Sequence, residues 1–137
     1  MTIKPLSPNL SVMPQIEATD IAGLAARGFK SIIGNRPEGE APDQPAWSSL
    51  VAETARHGMA ARQIPVVPGQ IGSNDVDHFA AALREMPVPI AAFCRTGTRS
   101  AMLWALANPD KLSVDERIAT AAAQGYDLAP LRARMQR

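Results

Sequence analysis

Short apolar runs alternate with segments of helical spacing along most of this chain. The apolar runs have the length of buried strands and cover residues 9–16, 30–35, 59–67 and 88–94. Apolar residues recur at helical spacing in residues 17–29, 47–58, 74–86 and 97–108. Residues 113–137 predict two more helices, with Ser113 as the cap and Gly125 as the break between them. This alternation predicts an α/β domain whose mainly parallel sheet has four or five strands and is flanked by helices.

The fourth predicted strand ends at the only cysteine of the chain, Cys94, within the segment FCRTGTRS. Ligands of parallel sheets bind at the carboxyl ends of the strands, which is where this segment would lie. An arginine, Arg99, begins the next helix after a tight turn of four residues: Arg95, Thr96, Gly97 and Thr98. The backbone N–H groups of such a turn and the N-terminus of the helix attract anions. The segment therefore predicts an anion-binding loop around a cysteine.

The same N–H groups and the Arg99 guanidinium would favour the thiolate of Cys94, which is the reactive form of the side chain. Arg99 would also bind an oxyanion through two parallel hydrogen bonds. Ser100 would donate a hydrogen bond to the sulfur or assist a leaving sulfur. The competing interpretation is that Cys94 is only a small buried apolar residue and that the polar residues cap a helix. The combination of strand, glycine, arginine and helix favours the chemical interpretation.

Two further groups of residues are candidates for this site. Asn35 and Arg36 follow the second predicted strand in GNRPEGE, so they would face the bound anion or brace the loop, and Glu38 or Glu40 would pair with an arginine. A plain surface turn is the alternative for this segment. The candidates for a general acid are Asp75 and Asp77, and more remotely Asp43. All three can be solvated acids, and at Asp75 and Asp77 the first turn of a helix favours negative charge anyway.

Composition narrows the classes of function that remain. The formal net charge is +1 and no basic cluster is present, so nucleic acid is not an expected partner. We expect no membrane span, because no run approaches about 20 apolar residues, and the N-terminus lacks the pattern of a signal peptide. A single cysteine fits a reducing cytoplasm, and His57 and His78 are too isolated to predict a metal or cofactor site. These observations predict one cytoplasmic domain spanning residues 1–137.

A cysteine followed by a short loop, arginine and serine is the pattern of protein tyrosine phosphatases and rhodaneses. The segments NLSVMPQI, GFKSIIGNRPEGE, IPVVPGQI and FCRTGTRSAMLWAL more closely resemble the phosphatase-like domain family of beta-lactamase-hydrolase-like proteins. This resemblance covers about residues 3–110 and leaves a helical tail at 111–137. It implies a three-layer, tyrosine-phosphatase-like fold with Cys94 as nucleophile and Arg99 as oxyanion ligand. Related domains are fused to a persulfide dioxygenase, which implies a separately encoded dioxygenase as a candidate partner.

The spacing of the loop departs from the tyrosine phosphatase pattern. Those phosphatases have five residues between cysteine and arginine, whereas four lie here, as in the rhodaneses. A shorter loop suits one persulfide sulfur better than a phosphoryl group, and sulfur transfer needs no general acid because its leaving group is already a stable anion. We therefore expect a sulfurtransferase that forms a Cys94 persulfide from a small anionic or persulfide substrate. The alternatives are a phosphatase with a phosphocysteine intermediate and a non-catalytic oxyanion-binding module.

Overall fold

A five-stranded sheet lies at the centre of the computed structural model, which describes residues 1–136. The strands are β1 (Lys4–Ser7), β2 (Leu10–Met13), β3 (Ser31–Gly34), β4 (Ala60–Gln63) and β5 (Ile90–Phe93). The helices are α1 (Ile21–Ala26), α2 (Trp47–Arg56), α3 (Ser73–Glu85), α4 (Thr98–Ala107), α5 (Val114–Ala123) and α6 (Arg132–Met135). Short 3₁₀ turns at Ala18–Asp20 and Ala129–Leu131 precede α1 and α6. The strand order is β1-β2-β5-β3-β4, and only β1 runs antiparallel to its neighbour.

Both faces of the sheet are covered, and neighbouring residues of one strand belong to different cores. Ile33 packs into a cluster with residues of α3, α4 and the tail, whereas Ile32 packs into a cluster with residues of α1 and α2. In β5, Ala92 belongs to the cluster of Ile33, and Phe93 belongs to the cluster of Ile32. Successive side chains of a strand point to opposite faces, so a sheet with two buried faces requires continuous apolar strands. The predicted three-layer α/β fold with a mainly parallel sheet is confirmed.

The sequence prediction missed β1 and extended the other strands too far. In β1 only Leu6 is buried, so the strand shows no apolar run that would distinguish it from a loop. The predicted strand 59–67 ends at Gln63 in the structure. Ile64 and Val66 beyond it stay buried and donate backbone hydrogen bonds to Gly34 and Asn35, but they do not continue the ladder. Buried apolar residues therefore extend past the strand because the loop also packs on the core.

The tail packs against α4 and the larger of the two cores. Ser113 caps α5 as predicted, because its Oγ accepts a hydrogen bond from the backbone N–H of Glu116 at 3.1 Å. The second predicted helix of the tail is shorter than expected and consists of a 3₁₀ turn followed by α6. Arg117 is buried and donates to the carbonyl of Ala105 at 2.6 Å, which ties α5 to α4. Arg137, the end of the predicted tail, lies outside the described residues.

The topology brings three chain segments together at one edge of the sheet. Met13, Gly34 and Phe93 are the last residues of β2, β3 and β5, and they are partners in register. Because the three strands are parallel, the residues that follow them meet at the same edge. Cys94 follows the central strand and lies between the segments that follow its neighbours. Within residues 1–136, no helix has the length and apolar character that crossing a bilayer requires.

Candidate active site

The Cys94 sulfur receives a backbone hydrogen bond from its own loop. The N–H of Gly97 donates to Cys94 Sγ with an N–S distance of 3.1 Å. Gly97 has a φ of 93°, in the left-handed region, and is the residue immediately before α4. A Cβ at this position would overlap the hydroxyl of Tyr126. Glycine is therefore needed here both for the turn that directs the N–H at the sulfur and for the space beside it.

The carbonyl groups of the loop are bound from outside. The backbone N–H of Gln15 donates to the Arg95 carbonyl at 3.2 Å, and the Tyr126 hydroxyl donates to the Thr96 carbonyl at 3.0 Å. The side chains of Arg95, Thr96 and Thr98 are exposed, and the two threonine hydroxyls lie 2.9 Å apart. With two of its carbonyls held on the outside, the loop can present backbone N–H groups to an anion beside the sulfur.

The Arg99 guanidinium is buried and donates to a carboxylate and a backbone carbonyl. Its side chain is 8% exposed and donates two hydrogen bonds to the Glu40 carboxylate, at 2.7 and 2.8 Å. Nη1 also donates to the carbonyl of Val66 at 2.8 Å. The hydrogen bonds to Glu40, and secondarily the neighbouring Cys94, raise the pKa of Arg99. The cysteine is fully buried, but its surroundings are polar, because a backbone N–H and this guanidinium lie next to the sulfur.

A second buried arginine shares the same carboxylate. Arg36 Nε lies 3.0 Å from Glu40 Oε1, and Arg36 Nη1 donates to the side-chain carbonyl of Gln15 at 3.2 Å. Hydrogen bonds from Arg99 and then from Arg36 lower the pKa of Glu40 to about 2. Two guanidinium groups therefore face one carboxylate, and the cluster carries a net positive charge. The predicted pairing of a glutamate with an arginine is confirmed for Glu40, whereas Glu38 accepts from the backbone N–H of Trp47.

Asn35 and Ser100 form a hydrogen bond that connects the end of β3 to the first turn of α4. The Ser100 hydroxyl donates to Asn35 Oδ1 at 2.8 Å, and Asn35 Nδ2 donates to the carbonyl of Ile64 at 3.0 Å. Both side chains are fully buried. The expectation that Ser100 donates to the sulfur is not met in this arrangement, because the hydroxyl proton is engaged by Asn35. Ser100 instead fixes the first turn of α4 to the ends of β3 and β4.

The candidate acids lie in different parts of the molecule. Asp75 accepts a hydrogen bond from the backbone N–H of Gly72 at 2.8 Å and so caps α3, while Asp77 is exposed on the same helix and lines a cavity with Arg134. Neither cavity that these two acids line includes a residue of the loop. The position of Asp75 matches the alternative explanation, in which acids favour the first helical turn, whereas Asp77 lies in the second turn and is simply exposed.

Asp43 is placed differently from those two acids. It is exposed and lines a polar cavity of about 250 Å³ together with Arg36 and Arg95. Gln15 and Glu17 line the same cavity. The most remote candidate in the sequence is thus the one that shares a cavity with a residue of the anion-binding loop.

Histidines contribute nothing to this cluster. His78 is exposed on α3, and His57 is exposed in the turn that follows α2, where its Nε2 lies 3.7 Å from Glu53. Within residues 1–136, no three His, Cys, Asp or Glu side chains are grouped so that they could hold a metal ion.

Sequence reasoning missed the residues that hold the loop from a distance. Tyr126 and the carbonyl of Val66 contact the loop across 30 and 33 residues of chain, respectively. No local motif marks these positions. Tyr126 is the single tyrosine of the chain, and a buried tyrosine hydroxyl requires a hydrogen-bond partner. This argument would have predicted a partner for Tyr126, but not which residue it is.

A cysteine after the central strand of a mainly parallel sheet, with an arginine in the first turn of the next helix, fits both classes that the sequence pattern resembled, and the family match selects the tyrosine-phosphatase-like class. A family model described as "Beta-lactamase hydrolase-like protein, phosphatase-like domain" matches residues 2–111, and this chain belongs to that family. The resemblance inferred from the sequence is thereby confirmed.

Relatives and solved structures agree with this assignment. A "Beta-lactamase hydrolase-like protein" of Xylella fastidiosa is 32% identical over 130 residues, covering 93% of this chain and 30% of the relative. The chain thus spans less than a third of the length of this curated relative. A crystal structure of a "putative phosphatase (nma1982)" from Neisseria meningitidis superposes with a TM-score of 0.88 at 33% identity, covering 98% of this chain and 96% of that chain. Tk-PTP in its active form shares the fold, with a TM-score of 0.72 at 13% identity over 98% of this chain and 92% of that chain.

Proposed function

We propose that this domain is a phosphatase that hydrolyses phosphate monoesters through a phosphocysteine on Cys94. The observation that carries the proposal is the buried loop in which the Gly97 N–H donates to the Cys94 sulfur, while the Arg99 guanidinium, held by Glu40 and the Val66 carbonyl, interacts electrostatically with the same cysteine. Donors fixed in this way stabilise a thiolate, and they also stabilise the oxygens of a phosphoryl group in the transition state. The family and the fold support a phosphatase-like hydrolase and thus favour this alternative over the sulfurtransferase expected from the loop spacing.

The proposed reaction has two displacements at phosphorus. The Cys94 thiolate attacks the phosphorus of the ester, an S–P bond forms, and the P–O bond to the alcohol or phenol breaks. The leaving oxygen takes a proton from a general acid. Water then attacks the phosphocysteine and gives a proton to the carboxylate that the general acid has become, which releases inorganic phosphate and restores both the thiolate and the acid. The net positive charge of Arg36, Arg99 and Glu40 complements the negative charge of the phosphoryl group throughout.

We assign the general acid to Asp43 rather than to Asp75 or Asp77. Asp43 lines one cavity with Arg36 and Arg95, whereas Asp75 caps α3 through the Gly72 N–H. A general acid matters most when the leaving group is a poor one. Asp43→Asn should therefore slow hydrolysis of phenyl phosphate by about 10²-fold or more, yet leave p-nitrophenyl phosphate nearly unaffected. Asp75→Asn is the matched control and should affect both esters equally and little. If Asp43→Asn slowed the hydrolysis of both esters by the same factor, Asp43 would not be the general acid.

The reaction class is tested with two assays. The protein is incubated with p-nitrophenyl phosphate and, separately, with thiosulfate plus cyanide, and the same assays are run on Cys94→Ser. We expect release of p-nitrophenol by the wild type only, and a phosphate adduct on Cys94 by mass spectrometry after rapid quenching. Because Cys94 is fully buried, the ester must displace neighbouring side chains, so adduct formation is followed over time.

The other outcomes distinguish the remaining functions. Thiocyanate release that depends on Cys94 would replace the phosphatase with the sulfurtransferase, which the four-residue loop spacing favours. Binding of inorganic phosphate without turnover of either substrate would leave an oxyanion-binding module. The candidate partner is tested by asking whether the domain binds a protein that has persulfide dioxygenase activity.

A further inference from the structure

We propose that Tyr126, in the tail, is a positioning residue that polarises the peptide group facing the Cys94 sulfur and thereby favours its thiolate. The inference rests on the thiolate that the proposed function requires, but it does not depend on which substrate the thiolate attacks. Tyr126 lies beyond residues 2–111, the part of the chain that the family model matches. The tail would thus belong to the site rather than only to the helical packing around it.

Tyr126 and the sulfur contact the two ends of one peptide group. The Tyr126 hydroxyl donates to the carbonyl oxygen of Thr96 at 3.0 Å. That carbonyl and the N–H of Gly97 belong to the same peptide bond, and this N–H donates to Cys94 Sγ at 3.1 Å. The result is a continuous chain of hydrogen bonds from phenol to carbonyl and from amide to sulfur.

Polarisation along such a chain strengthens the bond at its far end. A donor on the carbonyl oxygen draws electron density toward the oxygen, which makes the amide proton of the same group a better donor. Cooperative strengthening of about 10–30% per bond is expected in chains of this kind. A thiolate gains more than a thiol from a stronger donor, because hydrogen bonds to charged groups are the stronger ones. Tyr126 therefore shifts Cys94 toward its ionised form without touching the sulfur.

The structure keeps the Tyr126 hydroxyl in place and protonated. The ring is buried, Lys4 Nζ lies 4.5 Å from its centroid, and the absence of a side chain at Gly97 leaves room for the hydroxyl. Burial, and secondarily the neighbouring Cys94, raises the pKa of Tyr126 to about 12. The phenol therefore remains a donor throughout the pH range in which a cysteine ionises.

The charged groups near this chain of hydrogen bonds are Arg99 with Glu40 and Arg36, Lys4, and the exposed Arg95. Arg99 lies next to Cys94 and carries Glu40 on its other side. Lys4 lies over the Tyr126 ring. Replacing Tyr126 by phenylalanine keeps the ring, the position of Lys4 and the Arg99–Glu40 pair, and removes only the hydroxyl that begins the hydrogen-bond chain.

The test follows the ultraviolet absorbance of the thiolate against pH in the full chain. Because Cys94 is the only cysteine, subtracting the same titration of a Cys94→Ser variant in each background isolates its signal. Tyr126→Phe should raise the midpoint of the thiolate titration by about half a pH unit, which corresponds to a roughly threefold smaller thiolate fraction below the midpoint. The value of kcat at pH 6 should fall by a similar factor and recover toward the wild-type value at higher pH.

A second variant separates polarisation from loosening of the tail. Leu128→Ala removes a fully buried side chain from the same core and leaves the Tyr126 hydroxyl in place, so it should lower the melting temperature without moving the titration midpoint. An unchanged midpoint in Tyr126→Phe, or an equal shift in both variants, would overturn the proposal. If no phosphate ester is hydrolysed by the wild type, the proposed function fails, yet the thiolate titration still decides the role of Tyr126.

Discussion

Replacing Glu40 by glutamine tests whether one carboxylate holds the arginine cluster together. Glu40 accepts two hydrogen bonds from Arg99 and one from Arg36, and both arginine side chains are at least nine-tenths buried. Glutamine keeps the size of the side chain and removes its charge. The two guanidinium groups would then share a buried region without a counter-charge, which is the costly situation in a protein interior.

The magnitude follows from the pKa of Glu40, which lies at about 2 instead of the model-peptide value of 4.5. At about 1.4 kcal/mol for each tenfold change in an equilibrium, this difference corresponds to about 3 kcal/mol of folding free energy. The side chain is 22% exposed, so solvent screening reduces the figure to about 2–3 kcal/mol. We expect Glu40→Gln to lower the free energy of unfolding at pH 7 by this amount.

The pH dependence of the free energy of unfolding independently checks that the Glu40 carboxylate stabilises the fold. A carboxyl whose pKa is lower in the folded state stabilises the fold above its unfolded pKa and loses that contribution as the pH falls. The contribution of Glu40 is therefore complete above about pH 4.5 and declines toward pH 2. Between pH 5 and pH 2.5, the free energy of unfolding should fall more steeply in the wild type than in Glu40→Gln. The difference between the two proteins removes the contribution of every other carboxyl.

The assay is urea unfolding followed by the fluorescence of the two tryptophans, Trp47 and Trp104. Glu53→Gln serves as the control, because Glu53 pairs with Arg56 and His57 at the protein surface and such pairs contribute at most about 1 kcal/mol. The reasoning is refuted if Glu40→Gln and Glu53→Gln lose the same small amount of stability, or if the pH slopes of Glu40→Gln and the wild type coincide.

Two further predictions concern the loop and its brace. Gly97→Ala places a methyl group against the Tyr126 hydroxyl at a φ of 93°, so we expect a loss of about 2 kcal/mol or more in unfolding free energy and a loss of turnover; wild-type stability in thermal unfolding would contradict it. Asn35→Ala leaves the Ser100 hydroxyl and the Ile64 carbonyl without partners and should cost about 1–3 kcal/mol for each buried group. In a double-mutant cycle Ser100→Ala should cost less in the Asn35→Ala background, and additive losses would show that the two side chains are not coupled.

Apolar patterning was sufficient to predict the layers of this fold. The helices 47–58, 74–86 and 97–108 lie within two residues of α2, α3 and α4 at each end. Amphipathic spacing identifies such elements because one face must be buried wherever the rest of the chain lies. Apolar patterning did not predict β1, because this strand buries only Leu6. Its backbone pairing with β2, and not its composition, makes it a strand.

The local arrangement of the loop was also visible in the sequence. Cys94, Gly97 and Arg99 are close along the chain, so their spacing alone places the arginine in the first turn of the helix that follows the cysteine. The role of Ser100 could not be predicted in this way. Its hydroxyl donates to Asn35 rather than to the sulfur because the packing of α4 against the end of β3 brings Asn35 within hydrogen-bond distance.

Contacts between distant segments were decided by the tertiary structure alone. Asp43, rather than Asp75, shares a cavity with Arg95, and Tyr126 reaches Thr96 from the tail. A sequence determines which groups are near each other when they are a few residues apart, because local backbone geometry fixes their separation. Groups that are 30 or more residues apart meet only through the order and register of the strands and the packing of helices on them, which depend on all the apolar contacts of the chain at once.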